Sequence, residues 1–145
     1  MARIEPDLLA DAEFAGFFWG EGHLDLCRIG RTTRCLYPRA RIALRDDDAG
    51  MIEWLQARFG GNISHRASTR SLVWQLTGRE ALAELVGVLR ASRLPTKKRR
   101  ELDSFAEALA TVTIKGSGVR VSEAVHQRRS EIRDELKRLR VYGAH

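Results

Sequence analysis

Cysteine is scarce in this 145-residue chain, with Cys27 and Cys35 the only two. They form no Cys-x-x-Cys pair and join no Cys/His cluster, so nothing suggests a zinc module. Both read as reduced thiols of a cytosolic-type compartment. Long apolar runs are missing as well. No segment approaches membrane-spanning length, and Met1-Ala2-Arg3-Ile4-Glu5-Pro6-Asp7 lacks the pattern of a signal peptide. These absences point to a cytoplasmic or nucleoid-associated protein, neither secreted nor embedded in a membrane. Lysine is sparse too, occurring only at positions 97, 98, 115 and 137. Arginine carries the rest of the positive charge, and it forms bidentate bonds to guanine and phosphate. A GC-rich genome produces the same bias.

What the chain does contain is a globular composition. Hydrophobic residues make up 43% and charged residues 30% of it, which fits a folded protein rather than a disordered segment. Its length suits one domain with a real core. The formal net charge of +6 favours a polyanionic partner, nucleic acid first and an anionic membrane second.

Hydrophobic periodicity gives the order of elements. Residues 11–19 read as an apolar helix with Asp11 at its N-cap. Residues 23–29 alternate as a strand, turn through 30–34, and alternate again over 39–45. Asp46-Asp47-Asp48 opens a second helix, where acids suit the positive end of the helix dipole; capping explains this cluster better than metal ligation. In that helix Met51, Ile52, Leu55 and Phe59 form an apolar stripe with Trp54 beside it, and Gly60-Gly61 stops it. Residues 62–67 and 71–77 make a second hairpin. Helices follow over 79–91 and 96–110, with Pro95 between them. After the break at Gly116-Ser117-Gly118 a charged helix runs over 122–141. The expected class is α+β: a four-stranded antiparallel sheet with helices on one face, in the order αββαββα, plus C-terminal helices. Residues 1–112 form the domain and 113–145 a basic helical tail.

A sheet covered by helices on one side leaves the other side exposed. Alternation sends Leu24, Leu26, Ala40, Ile42, Leu44, Leu72, Trp74 and Leu76 to the core, with Ile63 and His65 grouped beside them. The opposite face collects His23, Asp25, Arg39, Arg41, Arg45, Ser64, Arg66 and Gln75, and the loop tips add Arg31, Arg34 and Arg70. A solvated sheet face is commonly polar. Arginines with few acids among them nevertheless suit phosphate contact and major-groove readout, with Arg matched to guanine, Gln to adenine and Asp to cytosine.

The most informative run is Phe14-Ala15-Gly16-Phe17-Phe18-Trp19-Gly20-Glu21-Gly22. Inside a helix Gly costs roughly 1 kcal/mol against Ala, yet Gly16 and Gly20 fall on one helix face. Such a face lets another backbone approach closely. Glu21 is then a carboxylate held between glycines at the helix end. An ordinary buried helix with a glycine C-cap has the same outline.

Position by position, this run resembles the motif of the LAGLIDADG homing endonucleases. Phe14 to Phe18 stand for its apolar half, Trp19 replaces the first acid, Gly20 is the small residue, Glu21 the second acid and Gly22 the closing glycine. The element order over residues 8–110 is the one that fold requires. The resemblance implies a site-specific double-strand DNA endonuclease that hydrolyses phosphodiesters with Mg²⁺ or another divalent cation. Because the motif occurs once, it implies a homodimer joined through Phe14, Gly16, Phe17 and Gly20, acting on a long, pseudo-palindromic duplex. It implies Glu21 and the carbonyl of Gly20 as metal ligands. It further implies a polar or basic residue at the end of the second strand, matched by Arg45, and a lysine after the third helix, matched by Lys97 or Lys98. Those side chains would orient solvent and stabilise charge without ligating metal. Trp19 and Arg45 depart from the more familiar pattern. The alternative is a catalytically inactive DNA-binding protein or RNA maturase on the same fold, and the third reading is a basic structural protein with no chemistry.

Overall fold

The computed structural model describes residues 9–28, 35–112 and 121–143. Helix α1 (Asp11–Glu21) leads into β1 (Gly22–Arg28), which pairs with β2 (Leu36–Arg45). A short 3₁₀ turn, Asp46–Asp48, precedes α2 (Ala49–Phe59). The hairpin of β3 (Asn62–Arg66) and β4 (Ser71–Leu76) follows, then α3 (Arg79–Arg90), α4 (Thr96–Ala110) and α5 (Glu123–Gly143). The four strands form one antiparallel sheet in the order β1-β2-β4-β3. The α+β class and the αββαββα order are those the sequence implies.

Register follows from burial. Leu24 pairs with Ala40 and Ala40 with Leu76, while Ile42 pairs with Trp74 and Trp74 with Ile63. Shifting any strand by one residue would send these apolar side chains to the wrong face. Aromatic side chains of α1, α2 and β4 meet in the core. Phe14 lies 4.9 Å from Phe59 and 5.8 Å from Trp54, ring centre to ring centre, and Phe18 and Trp74 are fully buried beside them.

Two glycines are fixed by space rather than composition. A Cβ on Gly22 would lie 2.9 Å from both Ile42 and Phe18, so only glycine lets α1 turn directly into β1 at that distance from the core. Gly61 has φ of +97° and a Cβ there would meet the Gln75 carbonyl at 2.5 Å. Beside it, Trp74 donates its indole N–H to the Gly60 carbonyl at 2.8 Å.

The structure departs from the sequence reading in five places. Helix α1 extends through Glu21, and its N-cap is Ala10, whose N–H is accepted by the Glu13 carboxylate at 3.2 Å, rather than Asp11. Strand β2 begins at Leu36, ahead of the expected residue 39, and includes Pro38. There β2 has β1 alone beside it, so the missing proline N–H breaks no bond to a second neighbour. The aspartates form their own turn before α2, with no side-chain capping bond from Asp48. His65 is exposed rather than grouped with the core and lies 3.6 Å from Asp46.

The fifth correction concerns α5, which is no appended tail. Ile132, Leu136 and Leu139 are buried, and Ile132 and Leu136 belong to the same core cluster as Phe14 and Trp74. Each such side chain contributes about 1.5–3 kcal/mol as an upper estimate. Arg129, 2% exposed, donates to the Leu36 carbonyl at 3.3 Å, to the Thr111 hydroxyl at 2.8 Å and to the Thr111 carbonyl at 2.9 Å. It thereby satisfies the C-terminal end of α4, where a cation also suits the helix dipole. Among the described residues no helix is long and apolar enough to cross a membrane.

Candidate functional site

Helix α1 has two unlike sides. Phe14, Ala15 and Phe18 turn inward and are buried. Phe14 therefore packs within its own protomer's core, which corrects its expected place at a helix–helix interface. The i, i+4 geometry that pairs Phe14 with Phe18 puts Gly16 and Gly20 on the opposite side, together with exposed Ala12 and half-buried Phe17. A Cβ at Gly16 or Gly20 would meet nothing within 4 Å. The bare backbone of this face is thus open, not packed against the rest of the chain. It borders a cleft of about 680 Å³ between α1 and the α3–α4 connection, lined by Ala12, Gly16, Trp19, Leu94 and Pro95.

Glu21 is the last residue of α1 and is exposed. Gly22 pairs with Ile42, so Arg45 lies three residues, roughly 10 Å, past the start of β1 at the same end of the sheet. Arg45 is also exposed.

The outer face of the sheet carries a connected set of polar side chains. Asp25 stands opposite Arg39 across β1 and β2, and His23 opposite Arg41. Arg39 donates from Nε and Nη2 to the two Asp25 oxygens at 2.9 and 2.8 Å, and from Nη1 to the Gln75 carbonyl oxygen at 3.1 Å. Arg41 approaches His23 Nε2 from Nε at 3.1 Å and Nη2 at 2.9 Å. Arginine only donates, so this ring nitrogen must accept and the imidazole is neutral with its proton on Nδ1. The His23 pKa is lowered by burial first and by the Arg41 charge second, with Arg140 of α5 and Arg39 adding to the depression and Asp25 opposing it. The Arg39 pKa is raised, chiefly by its bond to Asp25. Further along the face, Ser64, Arg66 and Arg70 are exposed, and Arg70 holds the β3–β4 turn with φ of +49°. Arg31 and Arg34 lie outside the described residues.

No family model and no curated protein matches this sequence. Solved structures do. The homing endonuclease I-TnaI superposes with a TM-score of 0.72 at 22% identity, covering 91% of this chain and 94% of its own. The LAGLIDADG homing endonuclease I-LtrWI bound to target DNA gives 0.72 at 14% identity, over 92% of this chain and 46% of that one. The archaeal intron-encoded homing endonuclease I-Vdi141I complexed with DNA gives 0.66 at 18% identity, over 89% and 82%. The chain has the LAGLIDADG homing endonuclease fold. It spans about half the length of I-LtrWI and of I-SmaMI, of which it covers 46%.

Trp19, which the motif resemblance matches to the first acid, packs against a lysine of α4. The Lys98 ammonium sits 5.4 Å from the centre of the Trp19 ring and 3.1 Å from the carboxylate of Glu101. Glu101 is 6% exposed. A cation over an indole face is attracted by the ring quadrupole, more strongly when partly desolvated. Lys98 is therefore held between α4 and the motif helix, while Lys97 is exposed on the first turn of α4. The indole N–H of Trp19 is buried without a hydrogen-bond partner among the described residues. Sequence reasoning missed Glu101, although its i, i+3 spacing from Lys98 was available as a signal.

Among the described residues no group of three or more His, Cys, Asp or Glu side chains is gathered to hold a metal. The C-terminal end of α1 offers the exposed carboxylate of Glu21 and the neighbouring Gly20 carbonyl. These are hard oxygen donors of the kind Mg²⁺ and Ca²⁺ take. On their own they are too few for a protein-built cage.

Proposed function

We propose that this protein is a homodimeric, divalent-metal-dependent endonuclease that cleaves double-stranded DNA at a specific, pseudo-palindromic site. The observation that carries this reading is the placement of Glu21. It is an exposed carboxylate at the end of a helix whose outer face is bare glycine backbone, beside a sheet face rich in arginine. Two such helices crossing at Gly16 and Gly20 would bring two Glu21 carboxylates together. The paired sheets would then form an extended basic surface along the major groove, which admits a two-stranded ribbon.

In this reading, Glu21 and the Gly20 carbonyl would hold Mg²⁺, which would supply charge neutralisation at the phosphate and activation of water. Arg45, at the same end of the sheet, faces the phosphate backbone and stabilises its charge. Lys98, fixed by Trp19 and Glu101, holds a positive charge next to the motif helix, and Lys97 on the adjoining turn is placed to orient solvent. The two glycines set how closely the copies approach, and so how far apart the two cuts fall.

The deciding experiment is incubation with a plasmid library carrying randomised inserts, with and without Mg²⁺, followed by sequencing of the ends. Recurrent paired breaks that need the cation support the proposal. Sequence-selected binding without breaks under any divalent cation would leave a silent DNA-binding protein, and preference for structured RNA over duplex would favour a maturase.

A further inference from the structure

We propose that Arg39 and Arg41 are guanine-reading residues of this sheet face, and that Asp25, Gln75 and His23 are positioning residues that aim them rather than base readers in their own right. This rests on the DNA-binding reading above and replaces the one-residue, one-base assignment suggested by side-chain type.

The geometry separates readers from holders. Arginine has five N–H donors. Arg39 spends three, two on Asp25 and one on Gln75. The two left over lie one on each terminal nitrogen, matching in number the O6 and N7 acceptors of guanine. Arg39 takes one of the two lone pairs on the Gln75 carbonyl oxygen, which ties that amide to the guanidinium and leaves a single lone pair on the oxygen for any other partner. Asp25 has both oxygens engaged and its side chain is 15% exposed. An acid on a surface meant for a polyanion weakens binding unless it does something else there. Aligning a guanidinium by a two-bond, side-on contact is such a role.

Arg41 repeats the plan with a different holder. Its Nε and Nη2 converge on His23 Nε2, which leaves both Nη1 hydrogens and the second Nη2 hydrogen without a hydrogen-bond partner among the described residues. In both cases the holder is the residue directly across the β1–β2 ladder, so the first strand acts as a row of supports for the second. Arg39 and Arg41 lie two residues apart, about 6.6 Å along the strand. Base pairs stack about 3.4 Å apart. The two guanines should therefore be separated by one intervening base pair in each half-site.

The test is selection from a randomised duplex pool by the full-length protein and its variants, with base preference read at every position. The wild type should enrich two guanines per half-site in that spacing. Arg39→Ala and Asp25→Asn should both flatten the same position, by roughly 5- to 150-fold in relative affinity, and the double variant should be no worse than Arg39→Ala alone. Arg41→Ala and His23→Leu should flatten the other position together. Should Asp25→Asn fail to fold by thermal melting, Gln75→Leu tests the Arg39 contact from the opposite strand. If Asp25→Asn instead relaxes a cytosine elsewhere, or its loss adds independently to that of Arg39→Ala, the holder assignment is overturned while DNA recognition stands. A wild type that enriches no sequence at all overturns the DNA reading and this proposal with it.

Discussion

Two exposed surfaces of this molecule are built on opposite plans. The outer face of α1 offers little side chain beyond Ala12 and half-buried Phe17: Gly16 and Gly20 leave backbone bare, with open space where a Cβ would stand. The outer face of β1 and β2 is crowded, and its charged groups hold one another before any partner arrives. A bare face gains only by close approach of another surface and recognises shape. A pre-bonded face has already restricted its long side chains and so loses less rotamer freedom when it engages a ligand. The contrast suggests that proximity is set at the helix and direction at the sheet.

The sharpest way to separate the two surfaces is Glu21→Gln. It removes the charge of the proposed metal ligand at the helix end and leaves the sheet untouched. Cleavage of the selected site should fall by about three orders of magnitude, the equivalent of several kcal/mol of lost charge stabilisation, while affinity in a gel-shift titration stays within a few-fold. Cleavage at the wild-type rate would remove Glu21 from the chemistry.

Bulk on the bare face comes next. Gly20→Leu should convert dimer to monomer in sedimentation. The milder Gly16→Ala and Gly20→Ala should raise the melting stability of the isolated protomer by up to about 1 kcal/mol each, since helix propensity improves and no neighbour is struck. They should weaken the dimer at the same time. A wild type that is monomeric with and without DNA would show that the face serves something other than self-association.

A gentler probe acts within the sheet, where the two arginines have holders of different chemistry. His23 must be neutral to accept from Arg41, and its folded pKa lies below the ordinary histidine value. The unfolded chain thus binds more protons here as pH falls, so the contact is fully present above about pH 6.5 and is lost as pH drops through the lowered folded value. As pH falls from about 6.5 through the lowered folded value, the base preference set by Arg41 should weaken relative to that set by Arg39. Equal loss at both positions would place His23 outside the pair.

The smallest expected effect is at Arg70, whose φ of +49° is a conformation that glycine adopts without steric cost. Arg70→Gly should stabilise the fold by about 1 kcal/mol or less. It should also reduce the slope of log affinity against log salt by about 0.9 if Arg70 neutralises one phosphate. A fold no more stable than the wild type would mean that the turn itself holds Arg70 without strain.

Much of the architecture was legible because alternation is hard to disguise. Leu24 and Leu26, Ala40 and Ile42, and Trp74 and Leu76 announce a buried face every second residue. The helix wheel also carries the information that Phe14 faces away from Gly16 and Gly20, which the linear motif alone does not display. The role of α5 was hidden by charge: Ile132, Leu136 and Leu139 keep helical spacing, but arginines and glutamates surround them. Of the candidate site, the cross-strand partners followed from register once the hairpin was placed. The Trp19–Lys98–Glu101 contact did not, since it joins α1 to α4 across nearly eighty residues and no local pattern encodes such a meeting.

The bond from Arg129 to the Leu36 carbonyl spans 93 residues, and it carries a consequence for how the chain is made. At about 5–20 residues per second, Arg129 leaves the ribosome roughly one to four seconds after the end of α4. During that interval the Thr111 carbonyl lacks its arginine, and the apolar ground later covered by Ile132 and Leu136 lies open. Contacts of such long sequence separation also close slowly. A nascent chain paused before residue 129 should therefore be a strong client for chaperones, and its dependence on them should end abruptly once α5 has been synthesised.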